Sequence, residues 1–421
     1  MKLWLDVDDL FVFARQSLRP SGIQRLTGEV YAALAQFESA EVGFVVHDSL
    51  EVGFKVIDWP EVQKAYHNLT LGHRLLQASN VQDSSQRRTT ILQHLLARAL
   101  RRPAQQKSIA DSQSNAPDLR ELATPDDVLC SLGAPWHHPC YSIPVSDLMR
   151  TTGSRFALLV HDLMPLLYRE FFEVGRAPRF APFMRAMLPI ADVVMTNSRS
   201  TAKDVLRWTQ SQGLLLKGTP QIIPIAHGFT RPPPAQLPEG LEPGSFVLFV
   251  STIETRKNHW QAFRVWTRLL QDLPREGVPT LVFAGSVGWM VDDLMKAIES
   301  TNRLDGKLVL LHDADDATLC ALYRACAFTL FTSYYEGWGL PVSDSLSFGK
   351  VCVASEAASI PEAGGEFCLY VDPDNTTGAY EVIRGLINSP RLLRDLEMRI
   401  ASKFSPLPWS VTAKAIIQAV S

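Results

Sequence analysis

Short runs of apolar and β-branched residues recur along the chain and alternate with longer, helix-like stretches. In the first half these runs predict strands at residues 3–7, 42–47, 127–132, 156–161, 192–196 and 221–226. In the second half they predict strands at residues 246–251, 280–284, 307–311, 327–332 and 351–354. Nearly continuous apolar strands that alternate with helices indicate parallel sheets covered on both faces. The pattern therefore predicts an α/β protein.

A segment rich in proline and glycine separates the two groups of strands. Residues 230–244 read TRPPPAQLPEGLEPG, a composition that does not continue a helix and is typical of a linker. The chain has 421 residues, whereas domains mostly have ~100–200. We therefore predict an N-terminal domain over residues 1–235 and a C-terminal domain over 245–405. Residues 406–421 are expected to form a helix that returns to the first domain.

A polar insertion at residues 78–117 stands apart from this pattern. No Asp or Glu lies between Ser84 and Ala110, and the segment contains Arg87, Arg88, Arg98, Arg101, Arg102 and Lys107. Apolar residues recur there at helical spacing, opposite the arginines. One interpretation is a surface helix in an insertion. The other is an anchor through residues 87–107 on an anionic membrane surface.

Composition and charge exclude several classes of protein. Hydrophobic residues make up 46% and charged residues 20%, which excludes a disordered chain. The formal net charge of −3 argues against a nucleic-acid-binding protein. No apolar run approaches the ~18–20 residues of a membrane span. The six scattered cysteines and the acidic start indicate a reduced, cytoplasmic protein, and the membrane interpretation of the insertion would place it on the inner face of the membrane.

The most informative stretch is residues 333–348, SYYEGWGLPVSDSLSF, directly after a predicted strand. Glu336 begins a loop in which Gly337 and Gly339 let backbone approach a ligand. Pro341 suits the first turn of a helix, and Asp344 is expected in that same turn. A carboxylate, free helix N–H groups and a second carboxylate could hold a sugar hydroxyl, a phosphate and a ribose. The alternative is an ordinary strand-to-helix turn with a capping Asp.

A second stretch, residues 251–260 with the sequence STIETRKNHW, follows the first strand of the C-terminal half. Arg256 and Lys257 are adjacent cations at a predicted helix start, where the helix dipole favours anions. There they could bind a diphosphate together with the helix N–H groups. The alternative is a solvated basic turn. The joint occurrence of both stretches, in this order, favours a site for a nucleotide.

These stretches together resemble family 4 glycosyltransferases, which have the GT-B fold. The family's E-x7-E signature is matched by Glu336 and Asp344 within EGWGLP, and its diphosphate-binding turn by RKN at 256–258. The stretch 354–375 is also similar, as are PSGIQR at 20–25, VHDLMP at 160–165 and TNSRSTAKD at 196–204. The resemblance implies two Rossmann-like domains with parallel sheets facing across a cleft. The acceptor would bind the first domain and the donor the second.

The resemblance also implies roles for individual residues. His161 and Glu336 would be catalytic, and the donor would be bound by Arg256, Lys257, Gly337, Trp338, Gly339, Leu340 and Asp344. Two positions depart from the family: Asp344 is one methylene shorter than the usual Glu, and the N-terminal loop has one glycine, Gly22, where many members have two.

Three further candidates follow strands of the two halves. Gly285 is expected to let backbone approach the nucleotide. Trp136 could shape the acceptor site or belong to a loop with a buried tryptophan. His227 is a candidate for the wall of the cleft, and with Gly22 and Trp136 it completes the predicted acceptor side.

The implied activity is retaining transfer of a hexose from a nucleoside-diphosphate sugar, with GDP-mannose preferred. The acceptor would be a saccharide or a lipid-linked saccharide in cell-envelope polysaccharide assembly. The alternatives are another GT-B enzyme, such as an epimerase or phosphorylase, and a catalytically inactive scaffold at a membrane. A NAD-dependent dehydrogenase is disfavoured because no G-x-G-x-x-G follows the first strand of either half.

We expect neither a metal nor a cofactor apart from the donor substrate. No Asp-x-Asp pair stands beside a strand in a donor-site position. The nearest acidic clusters are Asp6, Asp8 and Asp9, and Asp313, Asp315 and Asp316. We interpret the first as capping and loop residues, and Asp315 and Asp316 as caps of the helix predicted at 317–326.

Overall fold

The computed structural model of the chain describes residues 1–17, 20–37, 40–48, 53–80, 116–138, 140–172, 178–229, 234–312 and 314–421. The basic segment with Arg87, Arg88, Arg98, Arg101, Arg102 and Lys107 lies outside these residues, as does Asp313. The described part of the chain forms two sheets that follow one another in the sequence.

The first sheet has seven strands, in the order β3-β2-β1-β4-β5-β6-β7. They are β1 (Lys2–Asp6), β2 (Glu41–His47), β3 (Phe54–Ile57), β4 (Val128–Ser131), β5 (Arg155–Val160), β6 (Val193–Thr196) and β7 (Gln221–Ile222). Every neighbouring pair is parallel except β2 and β3, which are antiparallel. The order reverses between β1 and β4, so the carboxyl ends of these strands form the crevice where α/β sheets bind ligands.

The second sheet has six parallel strands, in the order β10-β9-β8-β11-β12-β13. They are β8 (Phe246–Val250), β9 (Thr280–Ala284), β10 (Leu308–Leu311), β11 (Thr329–Phe331), β12 (Cys352–Ser355) and β13 (Leu369–Val371). Its central strand β8 is buried along nearly its whole length, as expected for a sheet covered by helices on both faces. The order of this sheet reverses between β8 and β11.

Helices connect the strands on both faces of the sheets. In the first half they are α1 (Asp8–Gln16), α2 (Gly22–Ala35), α3 (Trp59–Asn80), α4 (Leu119–Leu122), α5 (Ser142–Thr152), α6 (Met164–Leu167), α7 (Phe180–Met187) and α8 (Arg199–Ser211). In the second half, besides a short left-handed turn at Asn302–Asp305, they are α9 (His259–Asp272), α10 (Asp292–Ser300), α11 (Asp316–Ala325), α12 (Leu340–Ser347), α13 (Ile360–Gly364), α14 (Thr376–Asn388), α15 (Pro390–Lys403) and α16 (Trp409–Val420). The predicted cap is confirmed at α11, where the Asp315 carboxylate accepts from the Thr318 N–H at 2.7 Å.

The strand pattern is confirmed in its main lines, with two additions. The short edge strands β3 and β13 are not predicted from the sequence, because runs of four and three residues give no clear periodicity. The antiparallel direction of β3 follows from its connection: residues 48–53 are too few for the crossover that parallel pairing requires.

The predicted strand at 221–226 is wrong beyond Ile222, where β7 ends. The Ile223 N–H still donates to the Thr196 carbonyl of β6 at 2.8 Å, and after it the backbone bonds to α16. The Ala226 N–H donates to the Thr412 hydroxyl at 3.0 Å, and that hydroxyl donates to the Pro224 carbonyl at 2.8 Å. Helix α16 packs against α2, and Ala413, Ile416 and Val420 are buried in the core of the first sheet. The end of the chain thus contacts the first domain.

Candidate active site

The loop that begins at Glu336 lies against the first domain. A Cβ atom at Gly337 would be 2.0 Å from the His161 carbonyl oxygen, so only glycine permits this approach. Gly339 adopts φ +111°, a left-handed conformation that suits glycine, and α12 begins at the next residue. The loop after β11 therefore lies directly against the residue that follows β5 in the other sheet.

Four charged side chains form a buried cluster at the base of this loop. The Glu336 carboxylate pairs with Arg256 at 2.7 Å and with Lys257 at 2.6 Å, and Glu254 pairs with Arg256 at 2.6 Å. The side chains of Arg256 and Lys257 are 11% and 12% exposed, and that of Glu336 is 10% exposed. The alternative of a solvated basic turn is therefore wrong, because both cations are buried among acidic partners.

Burial and the neighbouring charges together set the pKa values of the side chains in this cluster. Burial acts to raise the pKa of Glu336, but the charges of Arg256 and Lys257 outweigh it and hold that pKa below its ordinary value. Burial and the neighbouring Arg256 lower the pKa of Lys257, although Glu336 opposes them. Glu336 is thus a carboxylate near neutral pH, fixed between two cations.

The backbone around the two cations differs in detail from the prediction. Thr255–Lys257 form a 3₁₀ turn, Asn258 is left-handed with φ 57°, and α9 begins only at His259. Asn258 thus separates the two cations from the first residue of the helix. Gly285 directly follows β9. Its backbone lies so close to Ser251 that a Cβ atom at this position would be 2.0 Å from the Ser251 carbonyl oxygen. The backbone that Gly285 approaches is therefore the start of the loop that carries Arg256.

Hydrogen bonds fix the shape of the Glu336 loop. The Ser359 hydroxyl lies 2.7 Å from the Glu336 carbonyl oxygen and 3.0 Å from that of Trp338. Trp338 packs against the cores of both sheets, and its buried indole N–H has no hydrogen-bond partner among the described residues. Leu340, the first residue of α12, packs against the core of the first sheet. The loop is thus held by its own domain and pressed against the other.

Asp344 lies in the second turn of α12, so its predicted place in the first turn is wrong. Its two carboxylate oxygens accept from Arg25 of α2, at 2.7 and 2.9 Å. This pair joins the two domains at the second acidic position of the loop and helix. The two acidic residues of the E-x7-E pattern therefore have different kinds of partner. Glu336 pairs within its own domain, whereas Asp344 pairs across the cleft.

His161 directly follows β5 and is buried. Its Nε2 lies 2.8 Å from the Leu132 carbonyl oxygen, which can only accept, so Nε2 carries the proton. Burial lowers the pKa of His161 to about 4, and the hydrogen bond to Leu132 opposes this only in part. His161 is therefore neutral near pH 7, with Nδ1 as an acceptor.

The buried His161 should make the protein less stable in acid. An unfolded histidine takes up its proton near the ordinary pKa of 6.5, but the folded one only near about 4. Between these pH values the unfolded state binds more protons, so the free energy of unfolding decreases as the pH is lowered. At pH 5, His161 alone accounts for a decrease of about 2 kcal/mol. Urea denaturation at pH 7.5 and pH 5 should show a smaller decrease in the free energy of unfolding for His161→Gln than for the parent. An equal decrease would contradict the neutral, buried state.

The three predicted acceptor-side residues have different neighbours. Gly22 begins α2, and its nearest atom across the interface is Leu340 Cδ1, 3.9 Å from the position of a Cβ. Trp136 packs edge-on against Phe180, with ring centroids 5.1 Å apart. The N–H of Leu407 donates to Nδ1 of His227, which ties the end of the first domain to the returning C-terminal segment.

The acidic residues at the end of β1 and the start of α1 form a buried polar cluster. Asp6 accepts from the Asp8 N–H at 3.1 Å and from the Tyr141 hydroxyl at 2.6 Å, and it pairs with His47 at 3.3 Å. Burial raises the pKa of Asp8 to about 6, and burial with the nearby Asp6 charge raises that of Asp9 to about 7. The Asp6 carboxylate thus accepts from the first N–H of α1, whereas Asp8 and Asp9 lie in the first turn of that helix and not in a loop. Among the described residues no group of three or more metal-ligating side chains is placed to hold an ion.

Sequence reasoning missed several residues that hold the two domains together. The Glu362 carboxylate accepts from the N–H groups of Arg199 and Ser200 at the start of α8, both at 2.8 Å. The Tyr335 hydroxyl donates to Asp204. Glu362 lies in the IPEAGG part of the stretch at 354–375 and Asp204 ends TNSRSTAKD, so each could have been found as a polar residue of a matched motif.

Part of the chain matches a known protein family and several curated proteins. Residues 238–402 match the family Glycosyl transferases group 1. The serotype-specific mannosyltransferase WbdA of Escherichia coli is 29% identical over 238 residues, which cover 53% of this chain and 29% of WbdA. The O-antigen chain mannosyltransferase B of Escherichia coli is 33% identical over 130 residues, 31% of this chain and 33% of that protein. The chain thus spans a third or less of these relatives' lengths.

Solved structures with little sequence identity share the whole fold. HepE from Anabaena, in complex with UDP, aligns over 99% of both chains with a TM-score of 0.57 and 14% identity. A glycosyltransferase from Rickettsia africae aligns over 100% of this chain and 97% of its own, with a TM-score of 0.56 and 10% identity. The predicted GT-B fold, with two Rossmann-like domains, is confirmed.

Proposed function

We propose that this protein transfers a hexose from a nucleoside-diphosphate sugar to a saccharide acceptor, on the premise that its residues 238–402 belong to the family Glycosyl transferases group 1. The observation that carries the proposal is the buried cluster of Arg256, Lys257 and Glu336. The residue after Glu336, Gly337, lies against the His161 carbonyl of the opposite domain. Paired cations at the carboxyl edge of a parallel sheet suit a diphosphate. A carboxylate beside them suits the sugar attached to it.

The chemistry follows from these positions. Arg256 and Lys257 stabilise the negative charge that develops on the departing diphosphate as the bond from the anomeric carbon breaks. Glu336 lies beside them, where its carboxylate faces the sugar that acquires positive character. The acceptor oxygen attacks on the same face, its proton passes to the departing diphosphate, and the configuration is retained. His161, neutral at pH 7, offers Nδ1 as an acceptor to a sugar hydroxyl.

The names of the relatives support mannose as the transferred hexose, and GDP-mannose is the donor we propose. Two of the relatives, each matched over part of the chain, are named mannosyltransferases. The fold neighbour HepE was solved with UDP, so the choice of nucleoside is a separate question for measurement. The acceptor we propose is a growing cell-surface polysaccharide, either free or lipid-linked.

A lipid-linked acceptor would bring the protein to a membrane surface. In the described part of the chain no helix is both long enough and apolar enough to cross a bilayer. The basic residues 87–107, for which we predict binding to anionic lipid, lie outside the described residues. Peripheral attachment through this segment, on the inner face of the membrane, remains our prediction.

The test is donor binding and transfer in one set of assays. Calorimetry with GDP, UDP and ADP should give tightest binding for GDP. Incubation with GDP-mannose and a mannoside acceptor should release GDP, and the activity should persist in EDTA because we expect no metal. Binding without hydrolysis or transfer would favour the inactive scaffold. Isomerised donor would favour an epimerase, and an absolute need for Mg²⁺ would overturn metal independence.

A further inference from the structure

A buried ion pair between Arg25 and Asp344 connects the two domains at the cleft. Arg25 Nη1 donates to Asp344 Oδ2 at 2.7 Å, and Nη2 donates to Oδ1 at 2.9 Å. The side chains are 12% and 3% exposed, respectively. Bidentate pairing of this kind is strong and directional, and the guanidinium keeps its charge at any ordinary pH.

Two further contacts fix the guanidinium in place. Arg25 Nη2 also donates to the Gly228 carbonyl oxygen at 2.9 Å, and the guanidinium carbon lies 3.6 Å from the centroid of the Phe229 ring. A cation over an aromatic face is stabilised by the ring electrons. Arg25 is thus held by α12 and by the segment that leads into the second domain, although it belongs to α2 of the first.

This arrangement covers the carboxylate that the proposed donor site needs. Both oxygens of Asp344 are already bonded, and only 3% of the side chain is exposed. A ribose diol could reach this carboxylate only after Arg25 withdraws. Because Arg25 lies on the first domain and Asp344 on the second, withdrawal is achieved by separation of the two domains.

We propose that Arg25 is a gating residue: in the empty protein it holds the cleft closed and competes with the donor ribose for Asp344. The competition rests on the proposed function, whereas the closure does not. Only molecules in which the pair is broken can bind the donor. The apparent donor affinity is therefore the intrinsic affinity multiplied by the fraction of such molecules. Other contacts across the cleft, such as Glu362 with the start of α8, add to closure without involving Asp344.

Removal of Arg25 should favour the open state for a second reason. The carboxylate of Asp344 would remain buried without a counter-ion, which is unfavourable in a protein interior. Opening of the cleft returns it to water. Arg25→Gln should therefore populate an open form, and Arg25→Lys, which keeps the charge but loses the bidentate geometry, should populate it less.

Closure can be measured without any ligand. Cys140, the exposed cysteine of the first domain, and a cysteine introduced by Lys296→Cys on α10 would carry spin labels for pulsed EPR. The parent should give one short distance, and Arg25→Gln should add a longer one. Arg150→Gln, at an exposed arginine paired with Asp147, is the matched control and should resemble the parent. Identical distance distributions in the Arg25→Gln, Arg25→Lys and parent proteins would overturn the gate.

Competition is measured by calorimetry with GDP and UDP. Arg25→Gln should bind the preferred nucleotide at least about fivefold more tightly than the parent, within the usual range of coupling between a conformation and a ligand. Asp344→Asn should bind it more weakly. Weaker binding by Arg25→Gln would make Arg25 a ligand of the donor and overturn the competition. A lengthened distance with no nucleotide binding in any variant would refute the proposed function and leave the closure standing.

Discussion

Glu336→Gln is expected to lower the rate of transfer by at least about 100-fold while nucleoside-diphosphate affinity is kept or increased. The glutamine side chain has the same shape but no charge, so it cannot stabilise the positive character that develops on the sugar. At the same time Arg256 and Lys257 lose the carboxylate that neutralises them at 2.7 and 2.6 Å, and more of their charge is available to the diphosphate. Transfer kinetics and GDP calorimetry measure the two effects separately.

Stability provides a further check on Glu336. Glu336→Ala removes the carboxylate with which both buried cations pair, while Arg256 keeps its pair with Glu254. Loss of one partner from a buried ion pair costs about 3–5 kcal/mol. The matched control is Glu381→Gln at an exposed pair with Arg384, which should change neither transfer nor the free energy of unfolding measurably. Near-normal turnover in folded Glu336→Gln would refute a catalytic role.

Arg256→Ala and Lys257→Ala should each weaken binding of the nucleoside diphosphate. A hydrogen bond to a charged group contributes roughly 1.5–3 kcal/mol, which corresponds to about a 10- to 150-fold loss of affinity. Both side chains are about one-tenth exposed, so a bound diphosphate would be screened little by solvent. Calorimetry with GDP is the direct measurement.

The control for this pair is Arg264→Ala, an exposed arginine of α9 that lies over Trp260. It removes the same charge from the same part of the domain without touching the cluster, so its GDP affinity should equal that of the parent. If Arg256→Ala and Lys257→Ala also retain parental affinity, the diphosphate does not bind at this turn, and the donor site must be placed elsewhere.

Much of the fold could be predicted from the sequence because the strands of parallel sheets are buried on both faces. Such strands consist of nearly continuous apolar runs, as at β8, and they are separated by segments long enough for helices. The edge strands β3 and β13 lack this signal, since they are short and only partly buried. Residues 223–226 carry the apolar signal of a strand but are buried by α16 instead.

The candidate site could be predicted only as a set of residue types near strand ends. The motif placed Glu336 on a loop and the cations on a turn, because glycine, proline and charge have local consequences for backbone and solvation. It did not reveal that Glu336 and the cations are partners, since residues 256 and 336 belong to different strand-to-helix connections. Nor did it reveal Arg25, whose partner is 319 residues away.

The sequence by itself thus determined the two-sheet architecture and the chemical types that line the carboxyl ends of the strands, because burial and turn chemistry depend on neighbours along the chain. Only the tertiary structure decided which charges meet. The approach of Gly337 to the His161 carbonyl, the pairing of Glu336 with Arg256 and Lys257, and the pairing of Asp344 with Arg25 each join distant segments. Electrostatic interactions depend on separation in space and on burial, and local sequence specifies neither for residues on different elements.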